Sequence, residues 1–343
     1  MFTVEYNGIN SFLVGASKLL LDFGIERKVR NQKCMELPEP IMIKITNPLS
    51  RWITIPERKW DLFIPYAELL WLLMGRNDLE FIKYYVNRME AFSDDKVYLR
   101  GGYGPRLRYF NGNNVDYKVP INSGNDILYM ETDQIRYVVE CFSKDKNTRQ
   151  AIITLSDPSK DFFDKSHKFK DTEDRPCTQT LHFIRSVETG KLNLIVNMRS
   201  NDIIWGASAV NIFNFSFMQE CIAQIIGLEV GVYFHIVDNL HYYNRHERMI
   251  RKLSEVENVI DDFYSYEKKF RTLEDLDSQV DNLFSFEKNI RSGKTKDLVD
   301  FNEDFFNDWV KVLYLKSTKT RVDFVNPILS ELSERYLNKR QYE

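Results

Sequence analysis

Residues 192–237, LNLIVNMRSNDIIWGASAVNIFNFSFMQECIAQIIGLEVGVYFHIV, decide the fold. Apolar residues dominate 192–198 and 230–237, and two runs of this length and composition predict strands. Residues 210–226 between them are mostly apolar, and Gly227 follows at the position of a helix stop, which predicts a long buried helix. The chain therefore runs strand, helix, strand in this stretch.

Further elements are predicted immediately upstream. Residues 178–186 form another strand-like run, and ETGK at 188–191 joins it to the strand at 192–198 with a sequence typical of a hairpin turn. A helix is predicted over 133–142 and a strand over 150–155.

The N-terminal part of the chain is more varied. Up to about residue 47, short apolar runs alternate with charged turns, which predicts strands with a helix over 17–23. Residues 66–74, YAELLWLLM, favour a helix and are mostly apolar, and Gly75 follows them, so we expect a buried helix. The glycines and proline of 101–105 predict a loop, because these residues interrupt regular elements.

Composition narrows the class of protein. The 343 residues, 43% of them hydrophobic and 14% aromatic, can bury the core of one large domain or two ordinary ones. A net charge of −3 excludes the basic footprint of a nucleic-acid-binding protein. No apolar run is long enough to cross a bilayer and no targeting segment is recognised, so we expect a cytoplasmic protein with neither a membrane nor a nucleic-acid partner. The four cysteines form no CxxC pair, which indicates reduced thiols, any one of which could be reactive.

Cys177 has the most suggestive surroundings of the four. It follows Arg175 and Pro176 at the edge of a hydrophobic strand, and a thiol beside a fixed cation is biased toward the nucleophilic thiolate. A lone cysteine in an apolar chain is more often a small core residue, so this position alone does not decide its role. The polar motifs that follow Cys177 in the chain favour a catalytic role over a structural one. They are Arg199-Ser200-Asn201-Asp202, Trp205-Gly206, Asn211 and His241-Tyr242-Tyr243-Asn244.

With these motifs the sequence resembles the thymidylate synthase and deoxycytidylate hydroxymethylase family. The matching stretches follow the family's order: ELLWLLMG at 68–75, GGYGPRLR at 101–108, TRQAIITLSDP at 148–158, RPC at 175–177, MRSNDIIWG at 198–206, VNIF around Asn211 and HYYNRH at 241–246. The resemblance implies an α+β fold in which a mixed sheet packs against long helices, one domain over residues 1–343, and a homodimer joined through sheet surfaces. It places the family core at about 60–250. Residues 253–318 carry no recognised motif and are interpreted as a charged insertion or helical extension.

The resemblance implies a reaction and its catalytic residues. Cys177 would add to C6 of a pyrimidine nucleoside monophosphate, which makes C5 a nucleophile toward 5,10-methylenetetrahydrofolate, the cosubstrate; no metal is expected. Glu68 would be the proton-relay carboxylate, since burying a carboxylate on an apolar helix is costly without such a purpose. Tyr103 would assist removal of the C5 proton. Their ordinary alternatives are a structural cysteine, a salt bridge at a helix end and a packed aromatic ring.

The same resemblance assigns phosphate contacts. Arg199 and Ser200 would hold the substrate phosphate, as a guanidinium fork and a hydroxyl suit an anion. Arg149 matches the first of two adjacent arginines that the family lends across its dimer interface, but Gln150 replaces the second. Arg30 is a candidate for the mobile N-terminal phosphate arginine, although the family's glycine-rich surroundings are absent there.

The remaining assignments concern folate, sugar and base. Asp202 and Gly206 match the folate-side aspartate and glycine, and His241 and Tyr243 match the pair that hydrogen-bonds the sugar hydroxyl; each could otherwise be satisfied core polarity. Asn211 would read the base, because a carboxamide can pair with both O4 and N3–H of uracil, whereas the aspartate of the cytosine branch suits cytosine. This favours dUMP, although the run from Gly206 to Asn211 is one residue longer than the family's usual spacing.

Two departures from the methylating branch bear on the product. Residues 80–99 lack the tryptophan of that branch, and the chain ends NKRQYE at 338–343 in place of a short apolar tail. Thr178 also replaces the usual histidine after the cysteine, and His182 replaces a usual glutamine. These changes favour hydroxymethylation of dUMP, with water as the second reactant. The alternatives are thymidylate synthesis to dTMP, hydroxymethylation of dCMP or CMP, and an inactive homologue that only binds nucleotide.

Overall fold

The structure is a computed structural model that describes residues 1–29, 31–110, 117, 131–164 and 166–340. In chain order the strands are β1 Phe2–Tyr6, β2 Ile25–Val29, β3 Gln32–Glu36, β4 Ile41–Ile45, β5 Ile152–Thr154, β6 Thr178–Arg185, β7 Leu192–Met198, β8 Asn201–Asp202, β9 Val230–Val237 and β10 Leu240–Tyr243. The α-helices are α1 Ile9–Phe23, α2 Phe63–Leu73, α3 Leu79–Tyr85, α4 Tyr103–Arg108, α5 Gln134–Lys144, α6 Pro158–Asp161, α7 Ile212–Ile226, α8 Glu247–Ser254, α9 Leu273–Arg291, α10 Asp304–Thr318 and α11 Pro327–Arg340.

The larger sheet has the strand order β1-β4-β9-β7-β6-β5. The β1–β4 and β7–β9 pairs are parallel, whereas the β4–β9, β6–β7 and β5–β6 pairs are antiparallel, so the sheet is mixed. Residues alternate between buried and half-buried along β7 and β9, and α7 packs against these two strands. This arrangement confirms the α+β fold that the sequence predicts.

A smaller sheet, in the order β2-β3-β10-β8, lies beside the polar motifs. β8 and β10 are parallel, and their register places His241 opposite Asp202. The antiparallel β3 strand places Glu36 on the other side of His241. Residues that are nearly forty positions apart in sequence are therefore neighbours in one sheet.

The predicted strands 178–186, 192–198 and 230–237 are confirmed as β6, β7 and β9, to within one residue at each end. The hairpin turn at 188–191 is confirmed as well, because Ser186 N donates to Lys191 O and Gly190 has a φ of +72°, a value that favours glycine. The buried helix at 66–74 is confirmed as α2, and Gly75 follows it with a φ of +66°.

The long buried helix at 210–226 begins differently from the prediction. Its α-helical part is α7, and the nine residues before it, Ile203–Asn211, form a π-helix. A π-helical hydrogen bond spans one residue more than an α-helical one, so such a segment accommodates an inserted residue without breaking the helix. The π-helix spans Gly206 to Asn211, the stretch in which the resemblance implies one extra residue.

The loop predicted at 101–105 is wrong in part, because α4 begins at Tyr103 and includes Gly104 and Pro105. Pro105 is the third residue of this helix. At that position its missing N–H does not remove an intrahelical hydrogen bond, so the proline is tolerated.

The helices after residue 270 pack onto the same core as α2. Trp309 of α10 is fully buried and donates from Nε1 to Tyr66 O at 3.0 Å. Glu220 of α7 forms buried ion pairs with Arg51 at 2.5 Å and with Lys268 at 2.6 Å. Arg51, Lys268 and Trp309 are thus tied to α2 and α7, which carry residues of the candidate site. Among the described residues, no helix has both the length and the apolarity that a membrane span requires.

Candidate active site

Cys177 lies immediately before β6 and is half-buried, whereas Cys34, Cys141 and Cys221 are buried. Burial also raises the pKa of Cys34 and Cys221, which favours their neutral thiols. Cys177 is therefore the one of the four cysteines that a ligand can reach.

The guanidinium that holds the Cys177 segment belongs to Arg199. Its Nε donates to Pro176 O at 3.0 Å, and its backbone N donates to Cys177 O at 3.0 Å. Arg175, the cation expected beside the thiol, instead donates to Lys170 O at 2.5 Å and lies 4.6 Å from the centre of the Phe169 ring. The Arg175 side chain thus folds back onto the preceding loop.

Tyr103 faces Cys177 from α4. Its hydroxyl accepts hydrogen bonds from the backbone N and from Oγ1 of Thr178, each at 3.1 Å, and its ring stacks on Phe215. Burial raises the pKa of Tyr103 to about 12, and the neighbouring Cys177 adds to this effect. Thr178, which replaces the family's usual histidine, therefore orients the tyrosine next to the nucleophile.

The position of α4 is also fixed from the cysteine side. Asp174 Oδ1 accepts a hydrogen bond from Gly101 N at 3.1 Å, which joins the segment before Cys177 to the glycines before Tyr103. A Cβ atom on Gly101 would lie 2.6 Å from the same carboxylate oxygen, so glycine is needed for this close approach. Burial raises the pKa of Asp174 to about 7.

Glu68 lies on α2 and accepts a hydrogen bond from Nδ2 of Asn214 at 3.1 Å. Burial raises the pKa of Glu68 to about 7, and the Asn214 hydrogen bond opposes this rise only in part. A carboxyl with this pKa is populated in both protonation states near neutral pH, which suits a group that relays protons. Oδ1 of Asn214 is buried without a hydrogen-bond partner among the described residues, so it remains available to a ligand or a water.

Asn211 ends the π-helix and is buried. Its Oδ1 accepts a hydrogen bond from Nδ2 of Asn201 at 2.9 Å. A Cβ atom on Gly206 would approach Asn211 Oδ1 to 3.0 Å and Asn201 Oδ1 to 3.1 Å. Gly206 is thus adjacent to the base-reading candidate, and a glycine leaves room for the two amides.

Asp202 caps the start of the π-helix. Its Oδ1 accepts hydrogen bonds from the backbone N of Ile204 at 2.8 Å and of Trp205 at 3.2 Å. Its Oδ2 is buried and has no partner among the described residues. Buried acceptors normally have a donor, so this oxygen fits the N–H groups of a pterin and supports the folate assignment.

Ser200, His241 and Tyr243 lie around the same strands. Ser200 Oγ donates to Asn239 Oδ1 at 3.3 Å, and Asn239 in turn donates to Glu36 at 2.8 Å. His241 is buried, and its ring meets that of Tyr243 edge-on with 5.3 Å between centroids. The two proposed sugar contacts are therefore in contact with each other.

Residues 80–99 contain no tryptophan, but the Trp205 ring lies against this segment. Arg88 stacks on the Trp205 ring with 3.2 Å between the guanidinium carbon and the ring centre. Arg58 donates to Ile204 O at 2.6 Å and to Ser208 at 3.0 Å, which anchors the π-helix from outside. Burial lowers the pKa of Arg58 to about 10, while Asp202 favours its charged form. The surroundings of the Asp202 carboxylate are thus cationic.

Arg149, one of the predicted phosphate ligands, is not brought to the Cys177 of its own chain. Ile152 pairs with His182, so Arg149 lies beyond the Arg185 end of β6, opposite the end that follows Cys177. Because β6 has eight residues and a strand rises about 3.3 Å per residue, these ends are roughly 25 Å apart. Arg149 cannot serve the site of its own chain. Arg30 lies outside the described residues.

Three residues at the site had no predicted role, namely Asn214, Thr178 and Asn201. Asn214 follows Asn211 by three positions, and this spacing could have placed both on one helix face. The contacts of Thr178 and Asn201 depend on how α4 and the π-helix pack, and no sequence signal indicates them.

Comparison with known proteins agrees with this geometry. The thymidylate synthase family model matches residues 51–281. The deoxyuridylate hydroxymethyltransferase of Bacillus phage SP01 is 38% identical over 214 residues, which are 62% of this chain and 51% of that protein. The protein of the same name from Pseudomonas phage M6 is 28% identical over 69% of this chain and 59% of its own length. The thymidylate synthase of Bacillus mojavensis is 26% identical over 57% of this chain and 61% of its own.

The chain thus spans about half to three fifths of the length of the curated relatives it matches. The family match covers every described site residue from Glu68 to Tyr243. The chain belongs to the thymidylate synthase family.

Proposed function

We propose that this protein transfers a one-carbon unit from 5,10-methylenetetrahydrofolate to C5 of dUMP through a covalent Cys177 adduct, and that the product is 5-hydroxymethyl-dUMP. The observation that carries the proposal is the reachable thiol of Cys177, with Arg199 holding its segment and Tyr103 facing it from α4. The phage relatives named deoxyuridylate hydroxymethyltransferase, from Bacillus phage SP01 and Pseudomonas phage M6, support it.

Cys177, Tyr103 and Glu68 each have a separate role in the proposed reaction. The Cys177 thiolate adds to C6, and the electron pair of the C5–C6 bond moves toward O4, which makes C5 nucleophilic. When bound, the folate supplies the carbon that C5 attacks, and tetrahydrofolate is released. Tyr103 is positioned to assist transfer of the C5 proton to water through its ordered hydroxyl, and Glu68 to pass protons at O4. Water then adds to the C5 methylene as the Cys177–C6 bond breaks.

The folate side supports capture of the methylene by water. The cationic Arg88 covers the Trp205 ring. The guanidinium N–H groups are strong donors that hold water, in contrast to an apolar lid. Hydride transfer to give dTMP requires the opposite, a site from which water is excluded.

The base preference rests on Asn211. Its carboxamide suits uracil, and an aspartate there would suit the amino group of cytosine. We expect Asn211→Asp to move the ratio of kcat/KM for dUMP over dCMP toward dCMP by about tenfold or more, measured by competition between the two nucleotides. Unchanged discrimination would show that another group reads the base edge.

Arg199 is expected to bind the phosphate while holding the Cys177 segment. We expect Arg199→Ala to weaken dUMP binding about 10- to 100-fold, because it removes a charge-assisted hydrogen bond to the anion. Titration calorimetry with dUMP and with deoxyuridine separates the two roles. The variant should lose nucleotide affinity far more than nucleoside affinity, and an equal loss of both would contradict the phosphate assignment.

We propose a homodimer joined through the larger sheet. The face of this sheet opposite α7 carries half-buried apolar side chains in contiguous register, with Ile236 beside Met42 and Phe234 beside Ile195. Apolar patches of this kind mark interfaces. Pairing of two such faces would also bring Arg149 of one chain toward the active site of the other chain. A mass of one chain at micromolar concentration, measured by light scattering, would contradict this arrangement.

The C-terminal helices are proposed to belong to the same domain. Phe63 of α2 packs edge-on against Tyr336 of α11, with 4.7 Å between ring centres. Arg108 of α4 forms an ion pair with Asp277 of α9 at 2.6 Å. These contacts reach the helices of Glu68 and Tyr103.

The four cysteines form no disulfide with one another, which supports the reducing cytoplasm as the proposed location.

The second candidate function is an inactive nucleotide-binding homologue. Binding alone requires neither a reachable thiol nor a carboxyl with a pKa of about 7. Release of tritium from [5-³H]dUMP in the presence of methylenetetrahydrofolate distinguishes the two functions, since it requires loss of the C5 hydrogen. Sustained release is expected, and nucleotide binding without release would favour the binding protein.

A further inference from the structure

We infer that Asn201 is a positioning residue that fixes the orientation of the Asn211 carboxamide and thereby selects uracil over cytosine. The inference rests on the proposed function, in which Asn211 reads the base. It arises from the contacts of Asn201, a residue that touches neither the phosphate-binding candidates nor the nucleophile in the described hydrogen bonds.

Asn201 is well placed to set this orientation because it is held on several sides. It lies in β8, is 3% exposed, and pairs with Leu240 of β10. Its Nδ2 donates to Asn211 Oδ1 at 2.9 Å and contacts the sulfur of Met198 at 2.8 Å. A buried side chain with a fixed backbone and two contacts has little freedom to rotate.

The hydrogen bond leaves a defined end of Asn211 available. Oδ1 of Asn211 is engaged by Asn201, while Nδ2 makes no hydrogen bond to the described residues and is not enclosed. The outward end is therefore a donor. It matches O4 of uracil, and the second lone pair of Oδ1 can accept from N3–H. Cytosine presents an amino group where uracil has O4, so two donors would meet.

The opposite orientation of the amide pair is disfavoured. If both amides turned over, Asn201 Oδ1 would accept from Asn211, and its NH2 group would take the place where Oδ1 now lies. That place is buried and has no partner among the described residues. An NH2 group in that place would leave two donors without partners, whereas the present orientation leaves one acceptor without a partner. The sulfur of Met198 would also lose the N–H group that it now contacts.

Gly206 and the π-helix also help to position the Asn201–Asn211 amide pair. The π-helix places Asn211 one residue further along than regular spacing would, and Gly206 leaves room for both amide oxygens at about 3 Å from its missing Cβ. The inserted residue and the Asn201–Asn211 pair thus belong to one local arrangement.

The experiment compares dUMP and dCMP in full-length variants at Asn201. Asn201→Asp can only accept, so Asn211 should turn over, donate to the carboxylate and present Oδ1 to the base. We expect the ratio of Kd for dCMP over dUMP, measured by calorimetry, to fall at least tenfold in this variant, and the ratio of tritium release rates to follow. Asn201→Ala removes the orienting bond without adding charge and should lower the ratio by a smaller factor.

The control is Gln219→Ala, which removes another buried amide, one that lies on α7 and donates to Leu192 O of β7 at 2.8 Å. A purely structural role for Asn201 would lower stability, or affinity for both nucleotides, and leave the ratio unchanged in all three variants; that result would overturn the inference. Because the Kd ratio does not require turnover, it remains informative even if the wild-type protein releases no tritium. Absence of release overturns the proposed function, and an unchanged ratio overturns the role of Asn201.

Discussion

Replacement of Cys177 by serine is expected to lower kcat by roughly three orders of magnitude or more while the Kd for dUMP changes little. The thiolate forms the bond to C6, and a serine hydroxyl is a far weaker nucleophile in the same place. Affinity instead comes from the phosphate and base contacts, which the substitution leaves intact. Single-turnover tritium release and calorimetry with dUMP measure the two quantities separately.

The matched control is Cys141→Ser, which makes the same substitution at a buried thiol on α5, away from the site. This variant should keep its activity after correction for the folded fraction. Near-full activity of the Cys177 variant would show that Cys177 is structural and would contradict the proposed reaction.

Glu68→Gln is expected to lower kcat/KM by about 10²- to 10⁴-fold, the range of general acid–base catalysis. The wild-type profile of kcat/KM against pH should have a limb near pH 7, because burial raises the pKa of Glu68 to about 7. The glutamine variant should lack this limb, since an amide does not titrate. Burial also raises the pKa of Asp174 to about 7, so Asp174→Asn is the control that assigns the limb. A limb that disappears in Asp174→Asn and persists in Glu68→Gln would contradict the role of Glu68.

The same pKa has a consequence for stability. The folded protein holds the Glu68 proton more tightly than the unfolded chain, whose carboxyl titrates near its ordinary value of 4.5. The stabilising effect of this proton is complete below about pH 4.5 and is lost as the pH rises to about 7. Urea denaturation should therefore find Glu68→Gln more stable relative to wild type at pH 8 than at pH 5.

Much of the fold could be predicted because buried elements are built from apolar runs. β7 and β9 are mostly apolar, and α2 and α7 are mostly apolar and are followed by a glycine, so these elements are recognisable locally. Tyr103 was placed in a loop because glycine and proline surround it. The helix there is stabilised by tertiary contacts, among them the Asp174 hydrogen bond to Gly101.

Candidates for the site could be predicted where one residue carries a chemical role and less so where two residues share it. Cys177, Asp202 and Asn211 are candidates because of their type and order in the chain. The bond from Asn201 to Asn211 depends on a π-helix that brings one amide onto another, and the bond from Arg199 to Pro176 O depends on which way a long side chain folds. Such contacts follow from packing between segments and leave no local pattern.

The central claim is that water captures the methylene that Cys177 has helped to form. Incubation of the full chain with dUMP and 5,10-methylenetetrahydrofolate, followed by mass spectrometry of the nucleotide and absorbance of the folate, tests it most directly. The expected products are 5-hydroxymethyl-dUMP, heavier than dTMP by one oxygen, and tetrahydrofolate, because no hydride has left the folate. Equimolar dTMP and dihydrofolate would contradict the account and place the protein in the methylating branch of the family.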